Sequence, residues 1–342
     1  MPRRPAPATP VTLKDIARAA GFSRHTVGFV LNGTKQFPPA TRDKVLAAAK
    51  RLGYRPNASA RAVRSGRFRA VGLLLDLDAS QTLLSGALVR GIIDRLDAAD
   101  HHLVVARFPQ PAPRPAQQQP AGQTPRAMTH LLADGLILNY HAELPDGLDA
   151  WLAGCGMPVV RVNRLDGTDA VRPDDQGAAR ALVAGMIARG HRRIAYVDRY
   201  YDRFESRSRH FSKELRLKGY REAMRAAGLA RHEILAPPAE PLLLDALSAP
   251  PAACTAALCY SDIDVIELVT QARGRGLRLP QDLLLGCIGD LVHLISLPVA
   301  RQEIDWEGIG ATAVEVLLAR LDGATSQPAR LVACRESFPA AT

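Results

Sequence analysis

Four consecutive side chains near the amino terminus can donate hydrogen bonds to nucleic acid. They are Ser23, Arg24, His25 and Thr26, and they stand at the start of a predicted helix. Hydroxyl, guanidinium and imidazole groups in this position can reach base edges in the major groove or phosphate oxygens. The pattern therefore indicates binding to double-stranded DNA, with an ordinary helical hairpin as the alternative.

The segment from Thr12 to Asn32 predicts two short helices that position these donors. Thr12 and Ser23 suit the amino-terminal caps, and Gly21 stands where the chain must turn. Apolar residues recur at helical spacing and give each helix a buried face: Leu13, Ile16, Ala17 and Ala20 in the first, Val27, Val30 and Leu31 in the second. Two short helices joined by a glycine turn predict a helix-turn-helix.

A third helix is predicted to complete a small core. Pro39 suits its first turn, Gly53 ends it, and Val45, Leu46, Ala49 and Leu52 line one face. The basic segment that follows is too short to be a stable helix alone. DNA could order that segment, and a linker is the alternative.

The charge of the chain is concentrated in the same region. Residues 1–69 contain 15 Lys and Arg against two Asp, a net charge of +13, whereas the whole chain has +10. The remaining residues therefore sum to 10 − 13 = −3. This asymmetry favours a phosphate-binding amino-terminal part.

From Ala70 the pattern changes to alternating strands and helices, which predicts parallel sheets in two α/β halves. Clefts between such halves favour small molecules. Residues 109–125 form a Pro/Gln-rich tract that we expect to be an exposed loop. The predicted strands are 70–77, 102–108, 135–140, 157–163, 192–197, 255–260, 282–289 and 329–337. The predicted helices are one ending near Asp134 and 86–99, 178–190, 214–228, 264–276 and 309–323.

Motifs of enzymes, metal sites and membrane proteins are absent from the sequence. It has no P-loop, no Gly-x-Gly-x-x-Gly after a strand, no Gly-x-Ser-x-Gly and no Cys/His ligand spacing. We therefore expect no catalytic residues, no cofactor and no metal. No apolar run reaches membrane-spanning length and the amino terminus lacks an apolar leader, so we expect a cytoplasmic protein whose five cysteines are reduced.

The chain resembles the LacI/GalR family of transcriptional regulators along nearly all its length. The best matches are VTLKDIARAAGFS at 11–23, TVGFVLNG at 26–33 and TRDKVLAAAKRLGYRPNASARAVRSG at 41–66. Looser matches follow in order, including DGLIL at 134–138, ARGHRRIAYV at 188–197 and KGYREAM at 218–224.

The resemblance implies an effector-responsive regulator, by default a repressor, that binds a palindromic operator as a homodimer. It implies a headpiece at 1–56, a hinge helix at 57–69 and a two-lobed periplasmic-binding-protein-like effector domain at 70–342. The N-subdomain would cover about 70–170 and 303–331, and the C-subdomain about 171–302 and 332–342. The N-subdomain would hold most of the dimer contacts. A sugar-binding transport protein and a cleft enzyme on the same fold are the alternatives; the basic headpiece argues against both.

The resemblance also implies the DNA-contacting positions. Recognition-helix positions fall on Ser23, Arg24, His25, Thr26, Gly28 and Phe29, backbone-contacting positions on Thr12, Leu13, Asn32, Thr41, Tyr54 and Asn57, and minor-groove positions on Ala60 and Val63. Gly28 replaces a usual Ser, and Phe29 replaces a residue that is often polar or basic. Phe29 cannot donate a hydrogen bond, although it could contact a thymine methyl group.

The implied effector-binding residues are Asn139, Asp174, Arg216, Ser261, Asp262 and Asp290. Ile288 replaces an Asp that usually pairs with a sugar hydroxyl, and Asp290 follows two residues later. The effector is expected to be a sugar, a sugar phosphate or a nucleobase-like molecule, and to release or to tighten operator binding. The Arg- and Tyr-rich segment at 199–213 could meet an anionic ligand, with a solvated loop as the alternative.

Overall fold

The computed structural model describes residues 11–32, 35–54, 66–75, 84–107, 132–139, 148–165, 167–201, 210–236, 242–248, 253–290, 294 and 296–340. The chain forms two compact units, Met1–Phe68 and Arg69–Thr342. The predicted loop at 109–125 and the body of the helix predicted to end near Asp134 lie outside the described residues.

The described residues of the first unit form three helices around a small apolar core. They are α1 (Leu13–Ala20), α2 (Arg24–Asn32) and α3 (Pro39–Leu52). Ile16, Val27 and Val45, one from each helix, are fully buried and pack together with Ala48 and Ala49. The expected three-helix core is therefore confirmed.

The prediction that Leu46 belongs to this core is wrong. Leu46 is 41% exposed. The buried stripe of α3 instead runs through Val45, Ala48, Ala49 and, half-buried, Leu52, a spacing of three and four residues. Leu46 is about 100° away from Val45 around the helix, so it faces away from the other two helices.

The turn between α1 and α2 has the backbone conformation that the sequence predicts. Gly21 has φ 75°, in the left-handed region, and its amide donates to the carbonyl of Ala17. A residue with a Cβ is strained in this region, so glycine is the residue that ends α1 at low cost.

The second unit contains two six-stranded sheets, and each defines a lobe. The first sheet has the order β11-β5-β4-β3-β1-β2 and is parallel throughout. Its strands are β1 (Ala70–Leu75), β2 (His102–Arg107), β3 (Gly135–Asn139), β4 (Val159–Val162), β5 (Ala170–Pro173) and β11 (Arg330–Val332).

The second sheet has the order β12-β10-β9-β8-β6-β7 and is parallel except for the pairing of β10 with β12. Its strands are β6 (Ile194–Val197), β7 (His232–Ile234), β8 (Ala256–Cys259), β9 (Leu284–Gly289), β10 (Ala300–Glu303) and β12 (Arg335–Ser337). The expected α/β architecture with parallel sheets is confirmed.

Helices cover the faces of both sheets. They are α4 (Gly86–Asp97), α5 (Leu148–Cys155), α6 (Asp175–Ala188), α7 (Ser212–Ala226), α8 (Leu243–Ser248), α9 (Asp262–Gly274) and α10 (Trp306–Leu321). In the first lobe α4 packs against α10, and in the second lobe α6 packs against α7. A Cβ added at Gly91 would lie 2.1 Å from the carbonyl oxygen of Glu307, so the contact between α4 and α10 requires a residue without a side chain.

The structure corrects two boundaries that the sequence predicted. The single final strand expected at 329–337 is two strands, because β11 joins the first sheet and β12 joins the second. The proposed division of the lobes at 170/171 cuts through β5, which pairs with β4 and β11 in the first sheet.

The five cysteines are free thiols. Cys254, Cys259 and Cys287 are buried, and burial raises the pKa of Cys287 to about 12. Within the described ranges, no helix is both long enough and apolar enough to cross a membrane.

Candidate nucleic-acid interface and ligand site

The exposed face of α2 contains most of the predicted base-reading residues. Arg24, His25 and Phe29 are exposed, and Gly28 is half-buried. At 100° per residue these four positions fall within an arc of about 140° around the helix, with Val27 outside it and fully buried in the core. The helix therefore presents one continuous surface away from the headpiece core.

Two of the predicted donors are used to begin α2. The Ser23 hydroxyl accepts a hydrogen bond from the Thr26 amide at 3.0 Å, and the two hydroxyl oxygens are 2.9 Å apart. This is an amino-terminal cap, which satisfies an amide that the helix itself leaves without a partner. The side chains on the exposed face are thus Arg24, His25 and Phe29.

Thr12 is also a capping residue. Its hydroxyl donates to Asp15 Oδ2 at 2.7 Å, its amide donates to the same oxygen at 3.0 Å, and the Asp15 amide donates to its hydroxyl oxygen at 3.4 Å. The hydrogen bonds from Thr12 lower the pKa of Asp15. Thr12 and Asp15 therefore form a complete capping box.

The other predicted DNA-contacting residues are only partly accessible or lie outside the described residues. Leu13 and Tyr54 are half-buried and pack against the headpiece core, and Thr41 is half-buried on α3. Asn32 is the last residue of α2. The predicted hinge positions Asn57, Ala60 and Val63 lie outside the described residues.

In the second unit, Arg216 is bonded within the protein at the carboxyl end of the second sheet. Its Nε donates to Asp175 Oδ1 at 2.7 Å, and its Nη1 donates to the carbonyl of Ile288 at 2.8 Å. Arg216 is 8% exposed and Asp175 is 1% exposed. Burial by itself would lower the pKa of Arg216, but the groups around it, Asp175 first among them, raise it, so the pKa of the guanidinium lies above its ordinary value.

Lys213 forms a second buried ion pair one helical turn earlier. Its Nζ donates to both carboxylate oxygens of Asp198 at 2.8 Å and to the carbonyl of Tyr200 at 3.2 Å. The ammonium group also lies 4.5 Å from the centre of the Tyr260 ring, which has the Arg216 guanidinium at 5.0 Å. Both buried cations therefore have a carboxylate partner and share one aromatic ring.

A chain of hydrogen bonds joins the two lobes beside these pairs. Asn163, which follows β4 in the first lobe, is bonded through Nδ2 to His210 Nε2 at 3.2 Å. His210 Nδ1 is 2.7 Å from the Ser212 hydroxyl, which is 3.0 Å from the Tyr260 hydroxyl. Burial raises the pKa of Tyr260, so its phenol stays protonated near neutral pH. This series of hydrogen bonds places Asn163 of the first lobe against the start of α7 in the second lobe.

Asn139 and Asp174 belong to the edges of this region. Asn139 ends β3 and is buried, and its Oδ1 has no hydrogen-bond partner among the described residues. Asp174 is the cap of α6, where its Oδ1 accepts from the Gly177 amide at 2.9 Å. The carboxylate that pairs with Arg216 is its neighbour Asp175, which the sequence analysis did not select.

The remaining three predicted effector residues are at the ends of β8 and β9. Ser261 is the cap of α9 and accepts from the Ile263 amide at 3.1 Å, and Asp262 Oδ1 accepts from the same amide at 3.0 Å. Asp290 directly follows β9 and is exposed. Hydrogen bonds therefore place Ser261 and Asp262 at a helix start, whereas Arg216 and Asn139 are deeply buried.

The Arg-rich segment beginning at Arg199 is partly tied to the protein. Arg199 Nη2 is 2.8 Å from Asp264 Oδ1 and 2.6 Å from Glu267 Oε2, both on α9. Asp264 is fully buried, and burial raises its pKa although Arg199 acts in the opposite direction. Residues 202–209 lie outside the described residues. The part that is described neutralises its charges internally, which does not favour an anion site there.

Sequence reasoning missed three residues of this region: Asn163, Asp175 and Tyr260. Asn163 and Tyr260 each directly follow a strand, and that position was the available signal, since ligands bind beyond the carboxyl ends of strands. Across the residues described here, no group of three or more His, Cys, Asp or Glu side chains has an arrangement that would hold a metal ion.

Comparison with protein families identifies the chain. A family model for "Bacterial regulatory proteins, lacI family" matches residues 12–57, which contain α1 to α3, and one for "Periplasmic binding protein-like domain" matches residues 183–338. The chain belongs to the LacI family. It is accordingly a DNA-binding transcriptional regulator, and not an enzyme.

Individual members of the LacI family match over almost the full length. The HTH-type transcriptional regulator GntR of Escherichia coli K12 is 28% identical over 332 residues, 93% of this chain and 94% of that protein. A structure of the transcriptional regulator CelR in complex with cellobiose has 25% identity and a TM-score of 0.58, covering 96% and 99% of the two chains. The lac repressor dimer bound to operator and the anti-inducer ONPF has the same fold, with 22% identity, a TM-score of 0.71 and coverage of 97% and 98%.

Proposed function

We propose that this LacI-family protein is a repressor that binds a palindromic operator as a homodimer and that a neutral, sugar-like ligand controls this binding. The exposed face of α2 and the net charge of +13 on residues 1–69 support the DNA part. The lac repressor, which shares the fold, is a dimer on its operator. The two buried ion pairs at the carboxyl end of the second sheet support the ligand part.

The pairing of both buried cations favours a ligand without charge. Arg216 is neutralised by Asp175, and Lys213 by Asp198. An anionic ligand would have to compete with these carboxylates, at a high cost in a buried site. A neutral ligand can bind without breaking either pair.

Two buried oxygen atoms indicate which groups such a ligand should offer. Asn139 Oδ1 and Asp175 Oδ2 are acceptors that have no hydrogen-bond partner among the described residues. A buried acceptor without a partner is costly, and ligand hydroxyl groups would supply the missing donors. This complementarity favours a polyhydroxylated ligand, and CelR, whose structure contains cellobiose, is a related example.

The Asn163–His210 hydrogen bond gives the ligand a way to act on the rest of the molecule. It joins the first lobe to the start of α7, the helix that contains both Lys213 and Arg216. A ligand that reaches these residues changes the contacts between the lobes and so favours one lobe arrangement over another. Release and tightening of the operator are both compatible with this mechanism, and the operator assay below measures which occurs.

The DNA part is tested by selecting binding sites from random duplexes with the purified full-length protein. The expected result is a palindromic sequence that binds at least about 10³-fold more tightly than random DNA, with an affinity that falls steeply as salt rises. Equal affinity for all duplexes at every salt concentration would contradict the proposal.

The ligand part is tested by calorimetry and thermal unfolding with neutral mono- and disaccharides, sugar phosphates and nucleobases. A neutral sugar at 100 times its Kd should stabilise the protein by about 2.7 kcal/mol and should also change operator affinity. Asn139→Ala should weaken the binding of this sugar. In the absence of the sugar, the variant should bind the operator as tightly as wild type. Binding of sugar phosphates alone would reject a neutral effector and leave the DNA part intact.

A further inference from the structure

Phe29 is the large apolar side chain on the exposed face of α2. It is 42% exposed, whereas Val27 on the same helix is completely buried. Phe29 lies on the same face of the helix as Arg24, His25 and Gly28. An apolar ring among polar residues on a DNA-facing helix is not explained by the packing of the headpiece.

Gly28 next to it is also unexplained by the packing. A Cβ added at Gly28 would meet no atom within 4 Å, and the residue has ordinary helical geometry. Glycine costs roughly 1 kcal/mol relative to alanine inside a helix. Its benefit on this surface is that the bare backbone allows another molecule to approach closely.

Hydrogen bonding and apolar contact fall to different residues on this face of α2. Ser23 and Thr26 are bonded to each other in the cap of α2, so Arg24 and His25 are the exposed donors on the face. A phenyl ring has no donor or acceptor for a base edge. The apolar group that base pairs present in the major groove is the 5-methyl group of thymine.

We infer that Phe29 is a specificity-determining residue that contacts a thymine methyl group in each operator half-site, with Gly28 allowing the close approach. This inference rests on the proposed function, because it requires α2 to lie in the major groove. It predicts that each half-site contains a thymine whose methyl group contributes to the affinity. The methyl contact distinguishes thymine from the other bases through burial of apolar surface rather than through a hydrogen bond.

The test replaces thymine by deoxyuridine, one position at a time, in the selected operator. This change removes the methyl group alone. Burial of one methyl-sized group corresponds to about a fourfold change in Kd, and to about fifteenfold when both half-sites are substituted. Wild-type protein should show this loss at one symmetry-related pair of thymines, and Phe29→Ala should bind the thymine and uracil operators equally.

Two variants serve as controls. Phe29→Leu keeps an apolar side chain and should retain part of the discrimination. Leu46→Ala removes a side chain of similar exposure, 41%, from α3 and should keep the full discrimination. Equal binding of both operators by wild-type protein, or an undiminished loss in Phe29→Ala, would overturn the inference while operator binding stands. Failure to select any sequence would overturn the proposed function and this inference together.

Discussion

The Arg216 guanidinium is buried beside the Asp175 carboxylate, with 2.7 Å between Nε and Oδ1. The match to the family selects Arg216 and Asp174, whereas the carboxylate that pairs with Arg216 belongs to Asp175, one residue later in the chain. Asp174 caps α6, whereas Asp175 is the first residue of that helix and pairs with Arg216 at 2.7 Å. Adjacent residues at a helix start project about 100° apart, so the sequence alone does not decide which aspartate faces inward.

Removing one partner of this pair should strongly destabilise the second unit. Asp175→Ala leaves the Arg216 guanidinium buried without its carboxylate, and we expect a loss of about 3–5 kcal/mol in the free energy of unfolding. The double variant Asp175→Leu/Arg216→Met removes both charges and should recover a large part of this loss. Urea unfolding monitored by circular dichroism measures both values.

An exposed ion pair provides the comparison. Arg278 and Asp282 form a bidentate pair on the surface, with a side-chain exposure of 75% for the arginine. Arg278→Ala should change the unfolding midpoint little, because water screens the pair. A midpoint for Asp175→Ala as close to wild type as that of Arg278→Ala would show that Arg216 does not depend on Asp175.

At the scale of elements, sequence periodicity predicted the helices of the headpiece and most of the sheet. The long apolar strands β1, β3 and β9 are buried runs that need no partner to be recognised. The missed strands β5, β7 and β10 have three or four residues, and β10 reads ARQE, with two charged residues. Such segments become strands because a neighbouring strand pairs with them, and this information lies elsewhere in the chain.

The ligand site was less predictable than the elements for a related reason. Its members lie on α6 and α7 and directly after β4, β6 and β8, and the contact from Asn163 to His210 joins residues 47 positions apart. The residue types at strand ends indicate a site, but the pairings depend on how the lobes meet. The headpiece was easier, because its capping residues and its exposed face are local properties of two short helices.

The cap of α2 gives a prediction at this scale. Ser23→Ala removes the acceptor for the Thr26 amide, and we expect the first unit to lose about 1 kcal/mol of stability. The affinities for operator and for random DNA should fall by the same factor, because the serine orders the helix rather than reading a base. Ser23→Asn, which restores a capping acceptor, should recover the affinity in titrations with both duplexes. A loss confined to the selected operator would instead show that Ser23 reads sequence.

At the scale of the whole molecule, exposed apolar side chains are the candidate contacts of the proposed dimer. In the first lobe Ile93 on α4 and Val105 on the edge strand β2 are 39% and 55% exposed. In the second lobe Ile263 and Ile266 on α9 are 61% and 45% exposed. Exposed apolar patches on otherwise polar surfaces are characteristic of protein interfaces.

These two patches allow the proposed dimer to be dissected. We expect Ile93→Asp/Val105→Asp to give monomers at micromolar concentration in analytical ultracentrifugation, and Ile263→Asp/Ile266→Asp to weaken the dimer less, since the first lobe is proposed to hold most of the contact. Loss of the dimer separates the two headpieces, so affinity for the full operator should fall by 10²-fold or more. Affinity for an isolated half-site should not change, because α2 is untouched.

Leu331→Asp, at a residue that is 50% exposed on β11, is the matched control and should remain dimeric. A stronger effect from the second-lobe pair would place the main contact on α9, the helix that Arg199 links to the end of β6, and would join the dimer surface directly to the ligand site.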